Sequence, residues 1–534
     1  MDYDMIVSGG RVIDGTGNPW IKADVAVKGG RIAKVGNISE GVSSQIIDAD
    51  GLVVTPGFID IHTHSDLKLL INPLAESKIR QGVTTEVIGN CGSSLAPLNE
   101  ETREEAMKRA GEEGRRVRWD WLSFGGFLRK MERIGTAVNV VPLAGNVPIR
   151  TMVMGFDRRK PRPSELGKMR TVTAQCMREG AFGLSTGLIY SPSGFAQTPE
   201  IIELCKVVAK YGGIYATHIR GEGETLIQAV KEAITIGAKA KVPVEIAHHK
   251  ASGRKNWGKV QTSLKIIHEA RERGIDVTCD VYPYTAGATG LSTAIPPWAH
   301  EGGIKRLLQR LREEDTRARI KREIKNGITG WENMFTQAGP ENVLITNSEK
   351  NRRYQGKTIA QLARMKRMNP IEFVFDLLLE EDGNVGIVLF MMREEDMNRV
   401  LSDPISMIGS DASSMAPYGI LGKGKPHPRA YGTFPRVLGR YVREKSQLNL
   451  AEAIRKMTSL PAQKLGLWDR GFIRVGAWAD LVILDESKIA DTATYADPNK
   501  YPKGIEYVVV NGRIVIRKQK HTKLLQGKVL RKNR

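Results

Sequence analysis

Cysteine is scarce in this chain: Cys91, Cys176, Cys205 and Cys279 are the four in 534 residues, scattered and without a CxxC pair. Such spacing excludes a disulfide framework and a structural zinc knuckle. Missing too is any uninterrupted apolar run near the ~20 residues that a membrane-spanning helix needs. The opening residues, MDYDMIV, are acidic and soon polar, unlike a secretory leader, so a soluble cytoplasmic protein is expected with no membrane partner. No GxGxxG fingerprint follows a candidate strand, which argues against an open doubly wound dinucleotide fold. Acidic residues are in deficit, 59 against 80 lysines and arginines, for a net charge of +21. A basic surface can attract nucleic acid or anionic small molecules. The positive residues are spread over charged helical segments without interleaved aromatics, so solvated helix faces explain them. Nucleic acid is not an expected partner.

What is present centres on TPGFIDIHTH, residues 55–64. The apolar run before the histidines reads as a buried strand. Side chains alternate along a strand, so His62 and His64 point the same way at its C-terminal end. Two converging imidazoles can hold one metal ion. Seven further candidate strands follow, at 85–90, 137–143, 182–186, 213–218, 242–248, 275–282 and 405–411, most of them separated by helical segments. Eight such units are what a (β/α)₈ TIM-type barrel requires, with its active site at the C-terminal strand ends.

Both ends of the chain differ from this pattern. Residues 1–54 are short alternating segments broken by glycine, and residues 465–534 repeat that grammar. The expected architecture is therefore α/β: a barrel over 55–460 beside a small β-sandwich domain built from both termini. The long gap between strands seven and eight is expected to hold an inserted helical segment at about 296–345.

Chemistry-bearing residues fall at the predicted strand ends. Cys91 follows strand two in GNCG, His218 ends strand five, and Asp411 ends strand eight. Strand six ends in His248 and His249, which as neighbours point to opposite faces; only one can face the barrel axis. Both faces of such a strand are buried, so hydrophobicity does not choose between them.

The strings PGFIDIHTHSD, GNCGSS, GLSTGLIY, ATHIRGEGE, IAHHK, DVYPYTAG, GSDASS and HPRAYGTFPRVLG, in that order from about residue 55 to 440, resemble the N-acyl-D-amino-acid deacylases (D-aminoacylases) of the amidohydrolase superfamily. The resemblance implies that Cys91, His218 and His248 hold a tightly bound zinc, which favours His248 over His249. It implies that His62 and His64 form a weaker second site, with Cys91 able to bridge. Asp411 would be the general acid/base, working with a zinc-held hydroxide. Lys250, Tyr282 and Arg429 would grip the substrate carboxylate. The family pattern has a serine six or seven residues past Tyr282; here Ala288 stands there, with Thr289 next to it.

The implied substrate is a small N-acyl-D-amino acid or a short D-peptide, and a homo-oligomer is compatible with the sequence, which does not fix the oligomeric state. A hydantoinase or dihydroorotase would use the same barrel, but a cysteine bridge counts against both. A deaminase would use HxH too, but no histidine-plus-glutamate pair fits better than the aminoacylase set. A non-catalytic scaffold would be expected to have lost ligands, and none is missing.

Overall fold

The computed structural model describes residues 2–38 and 43–532. Eight parallel strands form its centre: Phe58–Asp60, Val83–Ile88, Asn139–Pro142 continuing into Ala144–Gly145, Gly183–Gly187, Ile214–His218, Val244–Ile246, Val277–Val281 and Ser406–Ile408. Strands one to three and three to eight pair in chain order. The ring closes between strands one and eight, where Thr63 bridges Ala412 and the Asp411 N–H donates to the His62 carbonyl at 2.8 Å. The result is a (β/α)₈ barrel.

Helices coat the barrel because their apolar residues recur at helical spacing. Leu226–Ala240 buries Leu226, Ala229, Val230, Ala233, Ile234, Gly237 and Ala240, one stripe facing the sheet. Gly237 is required there, since a Cβ would meet Val244 Cγ2 at 2.4 Å. Beneath the catalytic rim a buried ion pair ties the closing strands together. Lys78 Nζ lies 2.7 Å from Asp60 Oδ2, while Asp60 Oδ1 accepts the Ser410 N–H at 2.8 Å. Both charged side chains are fully sealed from solvent.

The two ends of the chain share one sheet, with nine strands among the described residues. The junction is the antiparallel pairing of Val53–Pro56 with Leu481–Leu484. Alternation divides its side chains between two cores: Val54, Leu481 and Ile483 pack with Met5, Val25 and Ile514, while Val53, Val482 and Leu484 face the barrel.

Two features depart from the sequence expectations. The excursion between strands seven and eight is larger than a helical segment at 296–345. It contains an antiparallel sheet of Ala286–Gly290, Val385–Phe390 and Val343–Ser348, in that spatial order, and its own core around Leu307, Ile320, Phe335, Ile345, Phe375 and Leu378. The first of these strands reads AGATG, too small and glycine-rich to look like a strand. Second, the final stretch leaves the terminal sheet: Val529 bridges Val140 and the Leu530 N–H donates to the Val140 carbonyl, so the tail runs beside barrel strand three.

Candidate metal centre and active site

His62, His64, Cys91, His218, His248 and Asp411 come together at one mouth of the barrel. His62 Nε2 lies 3.3 Å from Cys91 Sγ. Cys91 Sγ in turn is 4.0 Å from His218 Nδ1 and 3.8 Å from His248 Nε2. Ligand atoms of His62, His64 and Cys91 lie within 4.8 Å of one another, and so do those of Cys91, His218 and His248. Cys91 belongs to both groups. His249, left open by strand alternation, points away and meets Ser263 Oγ at 2.8 Å.

Three of these residues sit in a backbone region that side chains avoid. Cys91, His248 and Asp411 have φ of +51°, +36° and +49°. Each costs roughly 1–3 kcal/mol, and such strain concentrates at functional sites. It lets the chain turn sharply where each strand ends and aim the side chain over the barrel axis.

Charges around the donors are arranged for a cation. Burial alone would raise the Cys91 thiol, but His62, His218 and His248 bring it well below its usual value. A thiolate and imidazoles within this radius match the donor set of zinc. Asp280 Oδ2 accepts from His62 Nδ1 at 3.0 Å, which leaves His62 Nε2 facing the site. Glu222 lies behind His218 and His248; burial works to raise it, yet Lys250 and the two imidazoles hold it well below the usual carboxylate range. Neither Asp280 nor Glu222 was singled out from sequence. The signal was present for both, in the quoted DVYPY and RGEGE strings, but nothing in spacing assigns a residue that stands behind a ligand.

Asp411 reaches into the same space. Its Oδ1 is 3.0 Å from His64 Nε2 and 3.6 Å from His62 Nε2. Burial opposes its ionisation, but Arg429, His248 and His64 keep it well below the ordinary carboxylate value. The three residues expected at a substrate carboxylate also cluster. Arg429 lies over the Tyr282 ring at 4.6 Å and Lys250 Nζ approaches that ring at 5.7 Å. The Tyr282 hydroxyl and the Arg429 Nε are buried without a hydrogen-bond partner, whereas Arg429 Nη1 lies 3.0 Å from Asp411 Oδ2. A cavity of about 430 Å³ opens from His64, Asp411 and Arg429 outward between barrel and insertion, with Ala288 and Thr289 in its wall. The Thr289 hydroxyl donates to the Tyr190 hydroxyl at 3.2 Å.

A barrel that gathers thiolate, imidazole and carboxylate at its C-terminal rim defines a metal-dependent hydrolase of the amidohydrolase type. The chain belongs to the amidohydrolase family, whose model it matches over residues 45–516. It is 36% identical to a D-aminoacylase of Alcaligenes xylosoxydans xylosoxydans, over 99% of this chain and 97% of that one. An N-acyl-D-aspartate deacylase from the same organism is 35% identical, over 96% and 92% of the two chains. Among solved structures, an N-acyl-D-glutamate deacylase from Bordetella bronchiseptica, complexed with zinc and a phosphonate mimic of the tetrahedral intermediate, superposes with a TM-score of 0.83. It is 31% identical and covers 99% of this chain and 100% of its own.

Proposed function

We propose that this protein hydrolyses the amide bond of N-acyl-D-amino acids, giving a carboxylate and a free D-amino acid. One observation carries the reading: His64, Asp411 and Arg429 line one cavity beside the Cys91–histidine donors, and the Arg429 Nε and the nearby Tyr282 hydroxyl are buried donors without a hydrogen-bond partner. Unpaired buried polar groups are rare in a folded protein, and here they face the place where an anionic substrate group would sit. The relatives that act on N-acyl-D-amino acids support the same assignment.

Cys91, His218 and His248 would hold the tight metal, with His62, His64 and the shared Cys91 forming a weaker second position. Zinc, when bound, supplies a Lewis acid that polarises a carbonyl and acidifies water. Asp411 takes the proton of the attacking water and delivers it to the departing nitrogen, which amide cleavage needs because an amide anion leaves poorly. Arg429 and Lys250 bind the α-carboxylate, with the Tyr282 hydroxyl as a third donor. His64 orients Asp411 from the opposite side to Arg429. Asp280 fixes the ring of His62.

The test is hydrolysis of paired N-acetyl-D- and N-acetyl-L-amino acids with apolar, acidic and basic side chains, on zinc-loaded protein and again after chelation. D-selective amine release that chelation abolishes is the expected result. No release from any D-substrate with zinc bound would replace the deacylase reading with one on D-peptides or cyclic amides.

A further inference from the structure

Glu222 stands where two sets of residues meet. It is 5% exposed, and one oxygen, Oε1, lies 2.6 Å from Lys250 Nζ, 3.0 Å from His248 Nδ1 and 3.9 Å from His218 Nε2. That oxygen backs both imidazoles of the Cys91 group and also holds the lysine assigned to substrate.

The backbone that carries Glu222 is itself gripped from outside the barrel. Glu332, in the insertion, accepts the N–H groups of Glu222, Gly223 and Thr225 at 2.9, 2.7 and 2.6 Å, and the Thr225 hydroxyl at 2.7 Å. The loop leaves room only for glycine at 221: a Cβ there would meet Thr225 Oγ1 at 2.0 Å and the Glu332 carboxyl carbon at 2.9 Å. The RGEGE string thus has a physical reason, a loop wrapped around a carboxylate from a distant part of the chain.

Two groups contest the same nitrogen of His248. Lys250 Nζ is 2.7 Å from Nδ1 and Glu222 Oε1 is 3.0 Å from it. The contest matters because neutral imidazole carries one proton on one of its two nitrogens. If Nδ1 carries it and donates to Glu222, Nε2 offers its lone pair towards Cys91. If Lys250 donates to Nδ1 instead, the ring proton sits on Nε2 and that lone pair is lost to a metal.

We propose that Glu222, held in place by Glu332 of the insertion, is the positioning residue that keeps His248 in its metal-binding tautomer and restrains Lys250 from competing for it. This rests on the ligand and Lys250 assignments made above. It makes the insertion a structural part of the metal site, since the loop that presents Glu222 is fixed by an insertion side chain.

The test reads metal binding without substrate. Full-length, metal-stripped protein is titrated with Co²⁺, whose thiolate charge-transfer absorption reports Cys91 ligation, and with zinc against a chromophoric chelator. Glu222→Ala is expected to weaken binding about 10–100-fold, as loss of a carboxylate behind a metal-bound histidine does. The double variant Glu222→Ala/Lys250→Met is expected to regain most of that loss, because the rival donor is gone. Glu332→Ala is expected to weaken binding less than Glu222→Ala. If Glu222→Ala does not fold, judged by circular dichroism, the same pair of measurements is made on Glu222→Gln with and without Lys250→Met.

Wild-type affinity in the Glu222 variant would overturn the proposal. So would a double variant as weak as the single one, since a purely structural role gives no rescue by removing a lysine. Unchanged affinity in Glu332→Ala would overturn the part assigned to the insertion. Failure of the deacylase reading is separable: a wild-type protein inert on every D-substrate, but showing the loss and the rescue, removes the substrate and leaves Glu222 in this role. Absence of the thiolate band in wild type overturns both.

Discussion

Arg429 places Nη1 3.0 Å from Asp411 Oδ2, and the two charges are both nearly sealed from solvent. One guanidinium therefore serves two purposes, holding Asp411 ionised and presenting further donors to an incoming carboxylate. Arg429→Gln is expected to raise KM and to shift the acid limb of the kcat/KM profile. The sign follows from the direction of the shift: Arg429 lowers the Asp411 pKa, so its loss raises that pKa. The acid limb then moves to higher pH, and rate profiles of the two proteins measured from pH 4 to 8 check it.

Asp411→Asn keeps the shape and removes the base. Zinc content is expected to stay near that of the parent, while kcat falls about 10²–10⁴-fold, the usual range for a general acid or base. Normal turnover in the metal-loaded variant would remove Asp411 from the mechanism.

Ala288 lies in the cavity wall where the family pattern carries serine. Ala288→Ser adds a hydroxyl facing substrate, and one further hydrogen bond is worth about 0.5–1.5 kcal/mol. KM for N-acetyl-D-amino acids is expected to drop by roughly two- to tenfold at unchanged kcat. An unchanged KM would show that the hydroxyl has no partner there.

Lys78 and Asp60 form a pair with no solvent exposure. Lys78→Met leaves the carboxylate buried without its partner and is expected to cost about 3–5 kcal/mol. Adding Asp60→Asn should restore part of the loss. Denaturant titration of the three proteins measures both effects.

Glu86 gives a pH-dependent counterpart. Burial pushes its pKa up to about 7, against the nearby charge of Lys78. A raised carboxylate pKa means that the native state holds a proton the unfolded chain has already lost. Stability from this group therefore falls as pH rises from about 4.3, the unfolded value, to about 7, and is level outside that window. Glu86→Gln should flatten this part of the profile, gaining up to about 3 kcal/mol on the parent at pH 8 relative to pH 4. Parallel pH–stability curves for the two proteins would refute the assignment.

The barrel and the residues at its mouth were legible because period and position reinforce each other. An apolar run ending in His62-Thr-His64 fixes strand, direction and face together. The group at Glu222 was not legible, although its string was quoted, because a residue behind a ligand shares no periodicity with it. The choice between His248 and His249 needed the turn at φ +36°, which no propensity scale carries. The insertion's sheet escaped notice for another reason: AGATG is held by pairing with Val385–Phe390, nearly 100 residues later, rather than by any preference of its own.

Because one edge of Val53–Pro56 pairs with Met5–Val12 and the other with Leu481–Leu484, the order of synthesis matters. At ~5–20 residues per second, the first strand waits roughly 20 to 90 s for its mate to be made. During that interval the N-terminal segment presents an unpaired apolar edge, Val53-Val54-Thr55, next to the strand that carries His62. The pairing of Val53–Pro56 with Leu481–Leu484 thus forms late, after the barrel strands between them have been made.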